Sequence, residues 1–157
     1  MHYEFLVDRA ERPQKCSILP LEGRPDFDVR RFERGKPIAA LKADVLLHID
    51  GEPLDAIDVR AVKSLAFVDC HWRRCGGIVQ QIERPLPRLA RIPAGFKTAY
   101  PRRNKDDKDP PDGLATIEAV YIAAAFCGVR DETLLSRYHW GAEFLQLNAE
   151  VFARYGI

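Results

Sequence analysis

Leu65-Ala66-Phe67-Val68-Asp69-Cys70-His71-Trp72-Arg73-Arg74-Cys75 starts as an apolar run and ends in an acid, a thiol, an imidazole, an indole and two guanidiniums. Four apolar residues in succession predict a short buried strand, Leu65–Val68. Ligands collect at the strand ends of open α/β sheets. The residues from Asp69 onward are therefore where chemistry is expected.

Working outward, apolar stretches predict further strands at Tyr3–Val7, Val29–Phe32 and Ala43–Ile49, the last stopped by the turn pair Asp50-Gly51. Ile57, Ala61 and Val62 fall at helical spacing and predict a helix over Asp55–Ser64. Alternating strands and helices imply a mainly parallel sheet. Beyond Gly76-Gly77, the pattern gives a short helix at Ile78–Glu83 and one more strand in Leu86–Ile92. Ala94–Gly113 is a long irregular loop, and such loops in compact domains carry function or move. Leu114–Cys127 is a strongly apolar helix closed by Gly128, Asp131 caps another helix, and Trp140–Tyr155 is amphipathic. The expectation is an α/β fold: an N-terminal α/β lobe over about 1–80 and a mainly helical C-terminal lobe over about 81–157, sharing one core. The length, 157 residues, suits a single domain able to bury that core.

Hydrophobic residues make up 46% of the chain and charged residues 30%, ordinary values for soluble globular proteins. No apolar run approaches the roughly 20 residues of a membrane helix, and the first residues lack the basic and apolar regions of a secretory signal. A cytoplasmic, monomeric protein is expected, with no membrane partner. Four cysteines, Cys16, Cys70, Cys75 and Cys127, are then free thiols. They are expected to pack; zinc held by Cys16, Cys70, His71 and Cys75 is the weaker reading.

The net charge is +1, but seven basic residues and no acids lie between Arg84 and Lys105: Arg84, Arg88, Arg91, Lys97, Arg102, Arg103 and Lys105. Prolines, Phe96 and Tyr100 interleave them. Basic loops with aromatic rings suit RNA, because charge meets phosphate and rings stack on bases. A solvated surface loop is the competing reading. His71, Arg73 and Arg74 extend the candidate RNA contacts to the motif itself.

Four blocks in order resemble the small-subunit ribosomal RNA aminocarboxypropyltransferases. They are Cys16-Ser17-Ile18-Leu19-Pro20-Leu21; Val68-Asp69-Cys70-His71-Trp72; Leu86-Pro87 with Leu114-Ala115-Thr116-Ile117-Glu118-Ala119; and Trp140-Gly141-Ala142-Glu143-Phe144-Leu145-Gln146-Leu147-Asn148. The resemblance implies a SPOUT-like, trefoil-knotted fold, S-adenosylmethionine as cofactor, and transfer of its 3-amino-3-carboxypropyl group to a uridine or pseudouridine nitrogen. The acceptor would be small-subunit rRNA or a pre-ribosomal particle, and methylthioadenosine would leave. The chain departs from the family at His71, where Ser is usual, at Ala115, also usually Ser, and at Ile92–Asp112, which stands in place of an Asn-Pro-x-Asn-Tyr-Gly stretch. Tyr100-Pro101-Arg102-Arg103, Thr116-Ile117-Glu118-Ala119 and the Asp69…Trp72 spacing are similar to the DTW-domain tRNA aminocarboxypropyltransferases. Transfer onto tRNA is therefore one alternative; a SPOUT-like methyltransferase and a non-catalytic RNA-binding assembly factor are others.

By resemblance, Ser17, Val68, Trp72, Leu86, Tyr100, Leu114, Ala115 and Thr116 would bind the cofactor. Trp72 would form the wall of the pocket, where an aromatic face attracts the sulfonium. Ser17 would hold the carboxylate of the amino-acid arm, or serve as a turn or cap. Tyr100 would contact cofactor, or stack on RNA. Asp69 is the first candidate base for the attacking nitrogen and Glu118 the second; each has the competing role of shaping its own loop.

Overall fold

The computed structural model describes residues 1–10, 13, 16–71, 74–101 and 113–157. Among them, five strands form one parallel sheet: β1 (His2–Asp8), β2 (Phe27–Phe32), β3 (Val45–Pro53), β4 (Ser64–Asp69) and β5 (Arg88–Arg91), in spatial order β2-β1-β4-β3-β5. β4 is the central strand and β1 its neighbour, with Phe5 opposite Phe67 and Val7 opposite Asp69. Their near-continuous apolar runs match a sheet covered on both faces.

Alternate residues of the strands feed two cores. Tyr3, Phe5, Val7, Leu65 and Phe67 join the larger one, together with α2 (Thr116–Phe126) and Phe144 of α3 (Gly141–Tyr155). Leu6, Leu46 and Ala66 face the other way, against Ile38, Leu41, Ile82 and the short helix α1 (Cys75–Val79). α2 is buried almost all round, as a helix wedged between a sheet and a second helical layer must be. It ends as its sequence requires: Gly128 adopts φ +80°, and Val129 N–H reaches Ala124 O at 2.9 Å while Gly128 N–H reaches Ala125 O at 2.9 Å. This is the Schellman closure that glycine permits. Asp131 caps the next turn, Glu132–Leu135, by accepting from Thr133 N–H.

Three expectations fail. The helix read over Ile78–Glu83 is instead α1 at Cys75–Val79, with Gly76 and Gly77 inside it. Asp55–Ser64 is not a helix: only Leu54–Ala56 makes a 3-10 turn. Asp58 instead takes the Arg60 N–H at 3.1 Å, the local side-chain bond by which aspartate diverts backbone from helix. Nor does Asp50-Gly51 stop β3, which runs on to Pro53 through a register shift between Leu47 and Glu52. Gly51 is required there by close approach: a Cβ would lie 2.4 Å from the Ala90 backbone N. The sheet also extends beyond the N-terminal half, since β5 is its fifth strand.

Candidate active site

β4 delivers Asp69 to the carboxyl edge of the sheet, on the face covered by α2. Its carboxylate is 8% exposed. Oδ1 accepts from the Thr116 hydroxyl at 2.6 Å, and Oδ2 from the Cys16 thiol at 2.8 Å. Three chain segments thus meet at one acid: the loop at 16–18, the end of β4 and the first residue of α2. Burial, and then the Asp69 charge, pushes the Cys16 thiol up to about 12. It therefore stays protonated through the physiological range and acts as a donor, not a nucleophile. Cys16→Ala is expected to lower the melting temperature, whereas Cys16→Ser, which keeps a donor, retains most of it; thermal melts of the two variants check this.

Ser17 lies beside this junction. Its hydroxyl oxygen accepts the Ile117 N–H at 3.2 Å, satisfying an amide that the helix start leaves open. Ser17 is thus a cap supplied by another segment, and its own hydroxyl proton remains available to a ligand. Ala115, at the N-cap of α2, has no side-chain acceptor, which makes the outside help necessary.

Glu118 is fully buried. Oε1 accepts Ala99 N–H at 2.8 Å and the Tyr138 hydroxyl at 2.9 Å; Oε2 accepts Ala115 N–H at 2.7 Å and the Thr98 hydroxyl at 2.7 Å. A carboxylate offers about four lone-pair sites, and all four are taken. This geometry fixes the 98–100 loop to α2 and leaves no oxygen for a substrate proton. Asn148 does related work on the same loop: it accepts Lys97 N–H at 2.7 Å and donates to Lys97 O at 2.8 Å and Phe144 O at 2.9 Å. Tyr100 then rests edge-on against Trp140, with ring centroids 5.1 Å apart.

The half-buried apolar candidates divide between the two sides of the sheet edge. Tyr100 and Leu114 pack on the α2 side, and Val68 and Leu86 on the α1 side. Trp72 and Arg73 lie outside the described residues, as do Arg102, Arg103 and Lys105. His71 and Arg74 are exposed beside Asp69 in the chain.

The remaining basic candidates are not gathered at Asp69. Arg88 pairs with Glu52 at 2.7 Å, and Arg91 donates to Gly51 O at 2.7 Å, both on the outer strand β5. Arg84 and Lys97 are exposed on loops. Among the described residues, no group of three or more His, Cys, Asp or Glu is placed to hold a metal ion, and the thiol of Cys16 is committed to Asp69. Sequence reading missed Cys16 as a partner of Asp69, and Thr98 and Tyr138 as partners of Glu118. Fifty-three residues separate Cys16 from Asp69, and nothing local to either marks the pairing.

Comparison with known proteins supplies the family. Residues 51–157 match the family described as "Ribosome biogenesis protein, C-terminal". The chain is 31% identical to the 16S rRNA aminocarboxypropyltransferase of Halobacterium salinarum over 164 residues, covering 99% of this chain and 86% of that protein. It is 26% identical to the enzyme of the same name from Methanothermobacter thermautotrophicus, covering 90% and 81%. In fold it is similar to the solved SAM-dependent rRNA:acp-transferase Tsr3 from Vulcanisaeta distributa, with a TM-score of 0.68 at 23% identity, over 98% of this chain and 82% of that one. With a match that spans both Asp69 and the start of α2, this chain belongs to the 16S rRNA aminocarboxypropyltransferase family.

Proposed function

We propose that this protein transfers the 3-amino-3-carboxypropyl group of S-adenosylmethionine to a uridine or pseudouridine nitrogen of small-subunit rRNA, with release of methylthioadenosine. The observation that carries the reading is the end-to-end likeness to the Halobacterium salinarum enzyme, together with the convergence of Cys16, Asp69 and Thr116 at the sheet's carboxyl edge. The cofactor supplies a sulfonium with three electrophilic carbons. Selecting one of them is a matter of which carbon the protein holds in line with the nucleophile. An N–C bond forms, the S–C bond to the transferred carbon breaks, and the nitrogen's proton leaves.

In this reading, Asp69 faces the substrate and takes that proton, while Thr116 and Cys16 aim it. Ser17 holds the carboxylate of the amino-acid arm with its remaining proton, beside the α2 N-terminus, where anions are favoured. Val68, Leu86, Tyr100 and the start of α2 at Leu114–Thr116 supply the adenosine slot. Trp72 forms the wall over the sulfonium, an assignment made from sequence. Glu118 is a positioning residue: it holds the 98–100 loop and Ala115 in register. The finer fold reading is a SPOUT-like trefoil knot in one domain, supported by the parallel sheet and the helical layer packed on it. The reading is of a monomer in the cytoplasm; among the described residues no helix is long and apolar enough to cross a membrane.

The test is to incubate the protein with adenosylmethionine and small-subunit rRNA and to identify the released nucleoside. Methylthioadenosine is expected. Adenosylhomocysteine would show methyl transfer instead and overturn the reading. Replacing rRNA by tRNA in the same assay decides the acceptor, for which Tyr100-Pro101-Arg102-Arg103 favours tRNA as the second reading.

A further inference from the structure

Among the described residues, several arginines are neutralised one for one or better. Arg31 pairs with Glu22, Arg60 with Asp58 and Arg88 with Glu52, while Arg24 faces two acids, Asp26 and Asp131. The carboxyl end of β1 inverts this pattern. Asp8, its last residue, is 3% exposed and anchors two arginines. Its Oδ1 accepts the Ala10 N–H at 2.9 Å; its Oδ2 meets Nε and Nη2 of Arg34, both at 3.0 Å, and Nη1 of Arg74 at 3.8 Å. The Arg34 and Arg74 side chains remain 44% and 48% exposed. Beside them, Glu33 holds both Arg9 and Lys36, and the Arg9 N–H bond to Phe32 O at 3.1 Å ties the two clusters together. Four cations thus share two acids on one edge of the sheet.

We propose that Arg34 and Arg74, gathered on the buried carboxylate of Asp8, form a clamp for a backbone phosphate of the substrate RNA. A single arginine suffices to satisfy Asp8. The second adds little to the carboxylate at 3.8 Å but leaves a local surplus of positive charge. Arg34 donates to Asp8 from Nε and meets it with Nη2, so its Nη1 donors remain for a phosphate, which arginine grips in a planar fork. Because Asp8 holds one fork in place beforehand, less side-chain freedom is lost on binding. Location supports the assignment. β1 and β4 are neighbours with Val7 opposite Asp69, and neighbouring strands lie about 5 Å apart. Asp8 therefore ends its strand beside the motif, on the opposite face from Asp69, and the segment from Asp69 to Arg74 joins the two. Arg34 and Arg74 thus gather at the carboxyl end of β1, the same edge of the sheet that carries Asp69.

This proposal rests on RNA being the acceptor, but its test reads RNA binding and not transfer. The dissociation constant of the full chain for a labelled small-subunit rRNA fragment is measured across a salt series. For Arg34→Ala/Arg74→Ala, affinity is expected to fall at least tenfold at moderate salt. Loss of the one clamped phosphate should also reduce the log–log salt slope by about 0.7 on a single-stranded site. Adenosylmethionine affinity by calorimetry should not change, and Arg60→Ala, remote and paired with Asp58, should leave the slope unaltered. A folded double variant with wild-type slope and affinity overturns the clamp. If the alanine pair fails to fold, Arg34→Lys/Arg74→Lys decides: charge is kept and the fork is lost, so affinity falls several-fold with the slope retained, and unchanged affinity refutes the proposal. A reduced slope in a protein that releases no methylthioadenosine would leave the clamp standing and sink the transfer reading alone.

Discussion

Asp69→Asn is expected to abolish most of the transfer activity while leaving the protein folded. The prediction follows from who donates to Asp69. Both partners, the Cys16 thiol and the Thr116 hydroxyl, are rotatable groups. An asparagine can present its oxygen to one of them, and the threonine hydroxyl can turn to accept from the new amide. The junction therefore survives in shape and loses only its charge. General base contributions are typically about 10²–10⁴-fold, so single-turnover transfer should fall by roughly 10²-fold or more, with adenosylmethionine affinity and melting temperature little altered. Asp69→Ala with added formate supplies the complementary measurement: partial return of the rate would identify proton removal as the missing step. A variant that transfers at the wild-type rate would remove Asp69 from the chemistry, and one that unfolds would assign it to the scaffold.

The sequence carried the architecture wherever burial has a period. The inner strands β1 and β4 are apolar because both faces are covered, and the buried face of α3, with Phe144, Asn148 and Val151, is written at helical spacing. It failed where local bonding overrides pattern: Asp58 diverting 55–64 from helix, and Gly51 letting β3 pass within touching distance of β5. Of the candidate site, the sequence named Asp69 because an apolar run ends on it, and the resemblance named Ser17, Thr116 and Glu118. Ser17 as a cap and Glu118 as the shaper of its loop stood as alternatives in the sequence, but their partners could not be read. That Ser17 caps α2 across 100 residues, or that Asp8 gathers Arg34 and Arg74 from two other segments, is decided only when the sheet brings those segments to one edge. In the basic stretch at 84–105, composition does not reveal that Arg88 already has Glu52.

Glu118→Gln, by contrast with Asp69→Asn, is expected to be among the most destabilising single-atom changes in this protein. Each Glu118 oxygen accepts one backbone N–H and one hydroxyl: Ala99 N–H and Tyr138 on Oε1, Ala115 N–H and Thr98 on Oε2. Hydroxyls can rotate; backbone amides cannot. Whichever way a glutamine amide is turned, its NH2 meets a backbone N–H, two donors face each other, and one amide is left without a partner in a site that water does not reach. An unsatisfied buried donor costs about 1–3 kcal/mol, and hydrogen bonds to a charged acceptor are individually stronger than neutral ones. The expected loss is about 2–4 kcal/mol, equivalent for a chain of this size to a fall in melting temperature of roughly 5–15 °C. Urea titration followed by tryptophan fluorescence measures it. Loss of activity should track the unfolded fraction, and raising adenosylmethionine concentration should recover part of the stability if the cofactor binds only the folded form. If Glu118→Gln melts with the wild type yet transfers nothing, the buried carboxylate is acting on the reaction itself, and the division of labour drawn between Asp69 and Glu118 is reversed.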